Sequence, residues 1–572
     1  MEKKIPVDAG SEAFLELLNA NEVHYIFLNP GSDTFPIQEA VAKYKALGKR
    51  TPDVILCLHE SVAMAAAHGY FMMSGQPQVV LVHVDLGIQQ IGGALHNVQR
   101  GRIGVIVCSG QVAFDGDKRG SRSHYMHWFQ DQFDPAGIVR GYTKGEYEIR
   151  SNENIHYVMQ RAFQLASTEP CGPVYVALHR EVLMERINEV GILDVDRHTA
   201  ALTPQADTDL LVRAAEILIQ AENPLIVASD SGRNTQSVAS LVSLAEALSS
   251  RVVSTQYRMN FPTEHPLYGG ADPNPYLKDA DVILVIDHDV PYVPTDAKPK
   301  PEAKIIQIDI DPVKQDIPMW IFPVDMLFQA DSSKAIPALT EIIRQRVTAE
   351  QQARFQIRFQ QIQSEHKVLH TEWHNLAMSQ AKQRPISPEW LCHCIAEVVD
   401  ENTIILDESV TSSVSVKRQI PRTKPGTCFI GGGTSLGWGL GAALGAKLAS
   451  PDKTIVNLVG DGSFVFGCPT AALWAASVHH IPFLTIIFNN EVYKAAKAHL
   501  QGAYGENSFS QKTGEWVGLN IRPSPDYAMI ARASYANGQM VKDPSEVKSA
   551  LRYALDQVRS GKPMVLDVRI GA

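Results

Sequence analysis

The chain of 572 residues is 45% hydrophobic and 20% charged, the composition of an ordinary globular protein of about three domains. Its formal net charge of −10 argues against nucleic acid or an anionic membrane as a partner. Seven scattered cysteines favour a reducing cytoplasm, and because no long apolar run occurs we expect neither a signal peptide nor a membrane span.

Short apolar strands alternate with helical patterns over residues 1–185, which predicts a doubly wound parallel sheet. The predicted helices include Ser61–Met73 and Gln89–Arg100. The predicted strands are Val23–Leu28, Val54–Leu58, Val79–Val84, Ile103–Cys108 and Pro173–Leu178.

Two further units of the same kind follow a polar linker near residues 194–209. One spans residues 205–345, with strands predicted at Pro224–Ala228, Val252–Ser254, Val282–Ile286 and Ile305–Asp309. Glu350–Gln380 then reads as a long solvated helix. The last unit spans residues 385–572, with strands predicted at Thr403–Leu406, Ile455–Val459, Phe483–Phe488 and Pro563–Val568. The predicted fold class is therefore α/β, with three doubly wound parallel-sheet domains.

A phosphate and metal site is predicted where two of these strands end. Gly460-Asp461-Gly462-Ser463 follows one strand, and Asn489-Asn490 follows the next. Glycines allow a diphosphate to approach the backbone, and a helix after Ser463 would present its positive end to it. Asp461, Asn490 and a backbone carbonyl near Val492 offer the oxygen ligands that Mg²⁺ prefers. On its own, Gly-Asp-Gly is more typical of an ordinary βα turn with glycines and amide caps.

The paired motifs resemble those of the thiamine diphosphate (ThDP) enzyme superfamily, and the similarity covers essentially the whole chain. It implies ThDP and Mg²⁺ as cofactors, and the domain order pyrimidine-binding (1–185), middle Rossmann-like (205–345) and diphosphate-binding (385–572). Glu60 follows a strand and begins a helix of small residues, as does the family's glutamate that activates the aminopyrimidine ring. The alternative for Glu60 is a helix-start carboxylate that interacts with the helix dipole.

The same resemblance implies the residues that hold the cofactor. Leu436 would wedge ThDP into its bent form, and the carbonyl near Thr434 would hold the pyrimidine amine. The other implied cofactor-binding residues are Gly460, Gly462, Ser463, Tyr493 and Glu408, and the implied metal ligands are Asp461, Asn490 and Val492.

Within the superfamily, the local matches are to benzoylformate decarboxylase and its relatives. Ser32 in Asn-Pro-Gly-Ser looks like that branch's substrate-side serine, and His83 looks like its pocket histidine. Phe129-Gln130-Asp131 is similar to a Phe-Gln-Glu element of acetolactate synthases, so Gln130 is a third candidate catalytic residue. His124 and His127 are weaker candidates for lining the entrance of the same cofactor pocket. The alternative interpretations are that Ser32 is an ordinary turn serine, His83 a strand-end histidine in the core and Gln130 a loop amide.

The resemblance implies a 2-keto acid decarboxylase or carboligase that acts through an enamine intermediate, and does not decide between the two. The sequence also departs from the branch. The branch has a second pocket histidine in a loop of the middle domain. The corresponding loop of this chain offers only His288, which is out of register. Glu491 stands where relatives carry glycine, and the segment that follows has Lys494, small alanines and His499, which favours a roomier pocket.

Three alternative functions remain open, and the resemblance also predicts an oligomeric state. An acetolactate-synthase-like carboligase or an oxidase would carry FAD in the middle domain, but residues 230–233 are a poor dinucleotide fingerprint, so FAD is not expected. A non-catalytic protein of this fold would serve in assembly or regulation. The resemblance implies a homodimer or homotetramer with active sites between subunits, acting on a small 2-keto acid and in some reactions an aldehyde.

Overall fold

The computed structural model describes residues 3–117, 121–194, 197–255 and 257–571. Three parallel sheets follow one another along the chain, each surrounded by helices, so the predicted fold class is confirmed. A short antiparallel pair of strands, which the sequence did not predict, ties Lys3–Pro6 to Glu189–Ile192 in the first unit. None of the described helices is long and apolar enough to cross a lipid bilayer.

The first unit has a six-stranded sheet in the order β3-β2-β4-β5-β7-β6. Its central strands are buried runs of mainly branched apolar residues, as expected when helices cover both faces. Its elements are β1 Lys3–Pro6, α1 Gly10–Ala20, β2 Tyr25–Leu28, α2 Phe35–Ala46, β3 Asp53–Leu56, α3 Glu60–Ser74, β4 Gln78–Val82, α4 Val84–Gln90, α5 Gly92–Arg100, β5 Val105–Gln111, α6 Met126–Phe129, β6 Gly145–Ile149, α7 Ile155–Ser167, β7 Pro173–His179, α8 Arg180–Met184 and β8 Glu189–Ile192.

The second unit has a five-stranded sheet in the order β10-β9-β11-β12-β13. The long helix α13 follows it, and only a few of its residues are buried, as predicted; Phe355 and Ile362 join the core of this unit. Its elements are α9 Thr208–Gln220, β9 Pro224–Ala228, α10 Thr235–Leu248, β10 Arg251–Ser254, α11 Asn274–Leu277, β11 Val282–Ile286, β12 Lys304–Asp309, β13 Met326–Gln329, α12 Ser332–Arg346 and α13 Ala349–Ser379.

The third unit has a six-stranded sheet in the order β15-β14-β16-β17-β19-β18. Strands β16 and β17 are neighbours near the centre of this sheet, and their carboxyl ends therefore meet at one edge. Its elements are α14 Pro388–Ala396, β14 Thr403–Glu408, α15 Ser413–Gln419, β15 Cys428–Phe429, α16 Trp438–Ala449, β16 Thr454–Gly460, α17 Asp461–Phe466, α18 Pro469–Val478, β17 Leu484–Asn489, α19 Lys494–Tyr504, α20 Phe509–Thr513, α21 Tyr527–Ala533, β18 Asn537–Val541, α22 Val547–Arg559 and β19 Met564–Arg569.

Helices α3 and α16 pack against each other and join the first unit to the third. Both helices are rich in alanine and glycine, which lets their backbones approach closely. A Cβ placed at Gly445 would lie 1.8 Å from the carbonyl oxygen of Ala66, and one at Gly69 would lie 2.1 Å from that of Ala442. The small-residue helix that begins at Glu60 is therefore also a packing surface.

Two predicted helices differ from the structure. The helix expected over Gln89–Arg100 is two helices, α4 and α5, separated at Ile91, and α4 begins directly after His83. The helix expected after Ser463 begins two residues earlier, at Asp461, and covers only six residues. The N–H groups of Gly462 and Ser463 therefore lie in the first turn of α17, where helical N–H groups have no intrahelical partner.

Candidate active site

Asp461 and Asn490 lie at the ends of neighbouring strands, as the sequence predicted. Gly460 in β16 pairs in register with Phe488 in β17. Oδ1 of Asp461 accepts a hydrogen bond from the N–H of Gly462 at 2.9 Å, and Oδ2 accepts one from the N–H of Glu491 at 2.6 Å. The strand end that carries Asp461 is thus bonded directly to the residue after Asn490.

The donor set at these strand ends fits a hard divalent cation. Asp461 is buried, and burial raises the pKa of its carboxyl group above the usual value, as expected for a desolvated anion. Oδ1 of Asn490 accepts from the N–H of Val492 at 3.0 Å, and the carbonyl of Val492 accepts from Lys494 at 2.8 Å. Each of these oxygens keeps a second lone pair for a metal ion.

The two asparagines of the motif have different environments. Asn489 is fully buried, and its Nδ2 donates to Oδ1 of Asp567 at 2.7 Å beneath the strand ends. Asn490 instead bonds through Oδ1 to the N–H of Val492, and the residue after it, Glu491, donates to Asp461. The sequence motif therefore contributes one ligand candidate and one structural residue.

Glycine is required beside the aromatic ring of Tyr493. A Cβ at Gly462 would lie 2.6 Å from that ring, whereas one at Gly460 would meet only Oγ of Ser463, at 3.8 Å. Gly460 therefore leaves open space in front of the first turn of α17, next to the buried Ser463. This space, with Tyr493 at its side, is a cradle that suits a phosphate group.

The loop that carries Leu436 is held from two directions. Glu408, at the end of β14, accepts hydrogen bonds from the N–H groups of Gly437, Trp438 and Gly439 at 2.6, 3.1 and 2.7 Å. Burial raises the pKa of Glu408 to about 7, although these three donors oppose that shift. The carboxylate of Glu408 is therefore engaged by the start of α16, and Glu408 is placed to position the loop rather than to contact a cofactor directly.

The other side of this loop is fastened to the first unit. The side chain of Asn97 accepts from the N–H of Ser435 at 3.0 Å and donates to the carbonyl of Ser435 at 2.8 Å. Oγ1 of Thr434 lies 3.4 Å from Nε2 of His96. Leu436, which lies between Ser435 and Gly437, is half-buried. The loop is thus a fixed element, which a residue that shapes a bound cofactor requires.

Glu60 is the first residue of α3 and is 9% exposed. The ring of His59 caps this helix by accepting a hydrogen bond from the N–H of Ser61 at 3.2 Å. Oγ of Ser61 lies 3.9 Å from Sγ of Cys468, just beyond the end of α17. The start of α3 therefore contacts the third unit of the same chain.

Ser32, His83 and Gln130 lie near one another on the first unit, in a region that also contains His127 and that we call its mouth. Nε2 of Gln130 lies 3.0 Å from Nε2 of His83, and Oγ of Ser32 lies 3.5 Å from Nε2 of His127. The carboxylate of Glu60 is near enough to contribute to the raised pKa of His83. Glu60 therefore belongs to the electrostatic environment of His83.

Sequence reasoning missed Asp33 and Arg180 at this mouth. Asp33 is buried and forms a short hydrogen bond with Nδ1 of His83. Arg180 is buried and donates to the carbonyl of Ser32 at 3.4 Å. The signal for Asp33 was its position directly after Ser32; Arg180 had no local signal, because it lies far along the chain.

The two weaker histidine candidates differ. His127 is buried, and burial together with the nearby Arg180 lowers its pKa, so a neutral ring is favoured beside Ser32. His124 instead has its ring 4.8 Å from that of Tyr125.

The departures from the branch are explained by local contacts. His288 is buried with Nε2 at 2.6 Å from Oγ1 of Thr255, and burial lowers its pKa to about 4, so it is a core residue of the second unit. Glu491 has a φ of 59°, a conformation that favours glycine, and its carboxylate pairs with Arg569 at 2.8 Å and Arg522 at 3.2 Å. His499 bonds to the carbonyl of Ala495 within the exposed helix α19.

Residues 230–233 are engaged in the protein's own ion pairs. Asp230 pairs with Arg258 at 2.8 Å, and Arg233 pairs with Asp287 at 2.7 Å. Both arginines are largely buried, and Arg233 also pairs with Glu169 of the first unit at 3.4 Å, so this turn forms part of a charged cluster where the two units meet.

Family models match three segments of the chain in the same order as the three units. They are the thiamine pyrophosphate enzyme N-terminal TPP binding domain over residues 8–138, the central domain over residues 211–339, and the C-terminal TPP binding domain over residues 409–568. Together these segments cover most of the sequence. The chain belongs to the thiamine pyrophosphate enzyme family.

Relatives of this thiamine pyrophosphate enzyme include enzymes with two kinds of activity. A probable acetolactate synthase large subunit of Methanocaldococcus jannaschii is 25% identical, with 98% of this chain and 92% of the relative covered. Benzoylformate decarboxylase of Pseudomonas aeruginosa is 24% identical, with 97% and 98% covered. This thiamine pyrophosphate enzyme therefore falls in the group of decarboxylases and acetolactate synthases.

Among solved structures, the ThDP-dependent 4-hydroxybenzoylformate decarboxylase of Rhodococcus jostii matches with a TM-score of 0.78. It is 23% identical, and 98% of this chain and 99% of that chain are covered. At this identity, the match supports the fold of this thiamine pyrophosphate enzyme and leaves its substrate open.

Proposed function

We propose that the chain is a ThDP- and Mg²⁺-dependent enzyme that decarboxylates a 2-keto acid. The observation that carries the proposal is the gathering of Ser32, His83 and Gln130 in one mouth, with Glu60 close enough to act electrostatically on His83. A 2-keto acid has a carboxylate and a carbonyl next to each other. A hydroxyl, an amide and an imidazole are suited to orient both groups.

The third unit would hold the diphosphate end of the cofactor. Asp461, Asn490 and the Val492 carbonyl would bind Mg²⁺, which shares oxygens with phosphate groups. Gly460, Gly462, Ser463 and Tyr493 would surround the diphosphate, while Leu436 and Thr434 would face the rings, with Glu408 holding their loop. Bound ThDP supplies the electron sink for cleavage of a bond next to a carbonyl.

The residues of the first unit supply positioning and proton transfer. The carboxyl group of Glu60 exchanges a proton with the cofactor's pyrimidine ring. Ser32 and Gln130 hold the substrate carboxylate, and Nε2 of His83 gives or accepts a proton next to the substrate carbonyl. The largely buried first turn of α3 and the buried Asp33 restrict water at this mouth.

We infer that the working assembly is a homodimer or homotetramer. The pyrimidine-binding domain (1–185) of one copy would face the diphosphate-binding domain (385–572) of another, and within each chain the middle domain (205–345) lies between these two in sequence. The seven cysteines are all free thiols, which favours a reducing compartment such as the cytoplasm.

Carboligation is the second candidate activity. It is supported by the acetolactate synthase relatives and by Gln130, which lies within hydrogen-bond distance of His83. Decarboxylase and carboligase share the steps up to the release of CO₂, and differ in whether a proton or a second carbonyl compound is then accepted. An FAD-carrying oxidase would purify yellow with a flavin spectrum.

A substrate panel tests the proposal. The purified chain, supplied with ThDP and Mg²⁺, is offered aromatic and aliphatic 2-keto acids with and without aldehydes, while CO₂, aldehydes and 2-hydroxy ketones are followed. We expect CO₂ release from at least one acid, dependent on both cofactors. Cofactor binding without turnover on any acid would instead support a non-catalytic role in assembly or regulation.

A further inference from the structure

The carboxylate of Asp33 has two partners that are neighbours in sequence. Its Oδ1 forms a short hydrogen bond with Nδ1 of His83, and its Oδ2 accepts a hydrogen bond from the N–H of Val84 at 3.2 Å. Asp33 is only 3% exposed. One buried carboxylate therefore holds both the ring and the following peptide group of the candidate catalytic histidine.

Two glycines make room for this pair. A Cβ placed at Gly31 would lie 1.8 Å from Nδ1 of His83, and one placed at Gly110 would lie 1.8 Å from Oδ2 of Asp33. Any larger residue at either position would displace the pair, because real Cβ atoms do not approach so closely. The Asp33–His83 contact is therefore built into the packing of β5 and of the turn before α2.

The backbone after His83 is strained where Asp33 binds it. Val84 has a φ of 32°, which is a rare conformation for a β-branched residue. Such strain persists only where surrounding contacts maintain it. The hydrogen bond from Val84 to Asp33 is such a contact.

We propose that Asp33 is the positioning residue of His83, fixing the Nδ1–H tautomer of its ring so that Nε2 faces Gln130 and the substrate. The inference rests on the proposed function for its consequence in catalysis, but not for its geometry. With Nδ1–H donated to Asp33, Nε2 keeps its lone pair and accepts from the amide of Gln130 at 3.0 Å. Sequence reasoning had singled out His83 without identifying what orients it.

The charged groups with the largest influence on the pKa of His83 are acidic. The hydrogen bond to Asp33 is the largest cause of the raised pKa of His83, burial opposes it, and Asp85 and Glu60 add smaller contributions in the same direction as Asp33. The pKa of the neighbouring His127 is lowered, and Asp33 has only a small influence on it. Removal of the Asp33 charge should therefore lower the pKa of His83 and leave that of His127 nearly unchanged.

Asp33→Asn is the main test, because the amide is of the same size and still accepts from Val84. Exchange of the C2 proton of individual histidines, followed by mass spectrometry against pH, reports the pKa of His83 without any substrate. We expect a fall of at least about one unit at His83 and little change at His127, which serves as the internal control. An unchanged titration of His83 would overturn the proposal, whatever the substrate is.

A double-mutant cycle tests the catalytic consequence. We expect Asp33→Asn to lower kcat/KM by roughly 10- to 100-fold, to move the limb of the pH profile that belongs to His83 to lower pH, and to leave ThDP affinity unchanged. In a His83→Phe background, Asp33→Asn should cause almost no further loss. An equal loss in both backgrounds would show a purely structural role. Asp33→Ser replaces Asp33→Asn if the latter does not fold.

Discussion

The backbone N–H of Glu491 donates to Oδ2 of Asp461 at 2.6 Å and so ties the loop after β17 to the end of β16. This bond orients one carboxylate oxygen, while the N–H of Gly462 orients the other. Both oxygens are thereby fixed before a metal ion arrives, and little reorganisation is needed on binding.

Asp461→Ala should weaken Mg²⁺-dependent ThDP binding by at least roughly 100-fold, because it removes the only anion in the proposed metal-ligand set. Binding can be followed by calorimetry, with and without EDTA. The exposed Asp452 in the same unit offers a matched control, and Asp452→Asn should bind ThDP like the wild type. Unchanged magnesium-dependent binding by Asp461→Ala would remove the metal assignment.

Glu60→Gln should lower turnover by roughly 100-fold or more while ThDP still binds, because the amide keeps the size of the side chain but exchanges no proton. Steady-state rates and calorimetric affinity separate the two effects. Glu39→Gln, on the exposed side of α2, controls for the loss of one negative charge. Loss of binding in parallel with turnover would assign Glu60 a binding role instead.

Glu491→Gly and Glu491→Ala should differ in stability. Both lose the ion pairs with Arg569 and Arg522, but only alanine keeps a Cβ in the left-handed conformation at φ 59°. We expect the glycine variant to be more stable than the alanine variant by about 1 kcal/mol in denaturant unfolding. Gly75→Ala, in an open left-handed position at the end of α3, should show a cost of similar size.

Gly445→Ala should disrupt the packing of α3 against α16, because the new Cβ would lie 1.8 Å from the carbonyl oxygen of Ala66. We expect a loss of about 3 kcal/mol in the free energy of unfolding. Gly502→Ala, in the exposed helix α19 where nothing lies within 4 Å, should be neutral or slightly stabilising. A similar Tm for both variants would contradict the close packing of α3 and α16.

The sequence by itself determined the three α/β units and the pairing of Asp461 with Asn490. Buried parallel strands are continuous apolar runs, so β9 and β11 were predicted with the bounds that the structure has. In a parallel sheet, the residues after two neighbouring strands share one edge, and this places the metal-ligand candidates together. Glycines and asparagines at those ends are local signals, and it was their resemblance to the ThDP enzyme motifs that assigned them to one site.

Only the tertiary structure decided the order of the strands and the partners of His83. Within the three parallel sheets, the unpredicted strands are β6, β13, β15 and β18, and all four lie at sheet edges, where one side has no neighbour and the apolar pattern is weak. The contact of Asp33 with His83 joins residues fifty positions apart, and it depends on β2 lying beside β4 in the sheet. Local sequence patterns carry no information on such pairings, because they follow from how the elements pack.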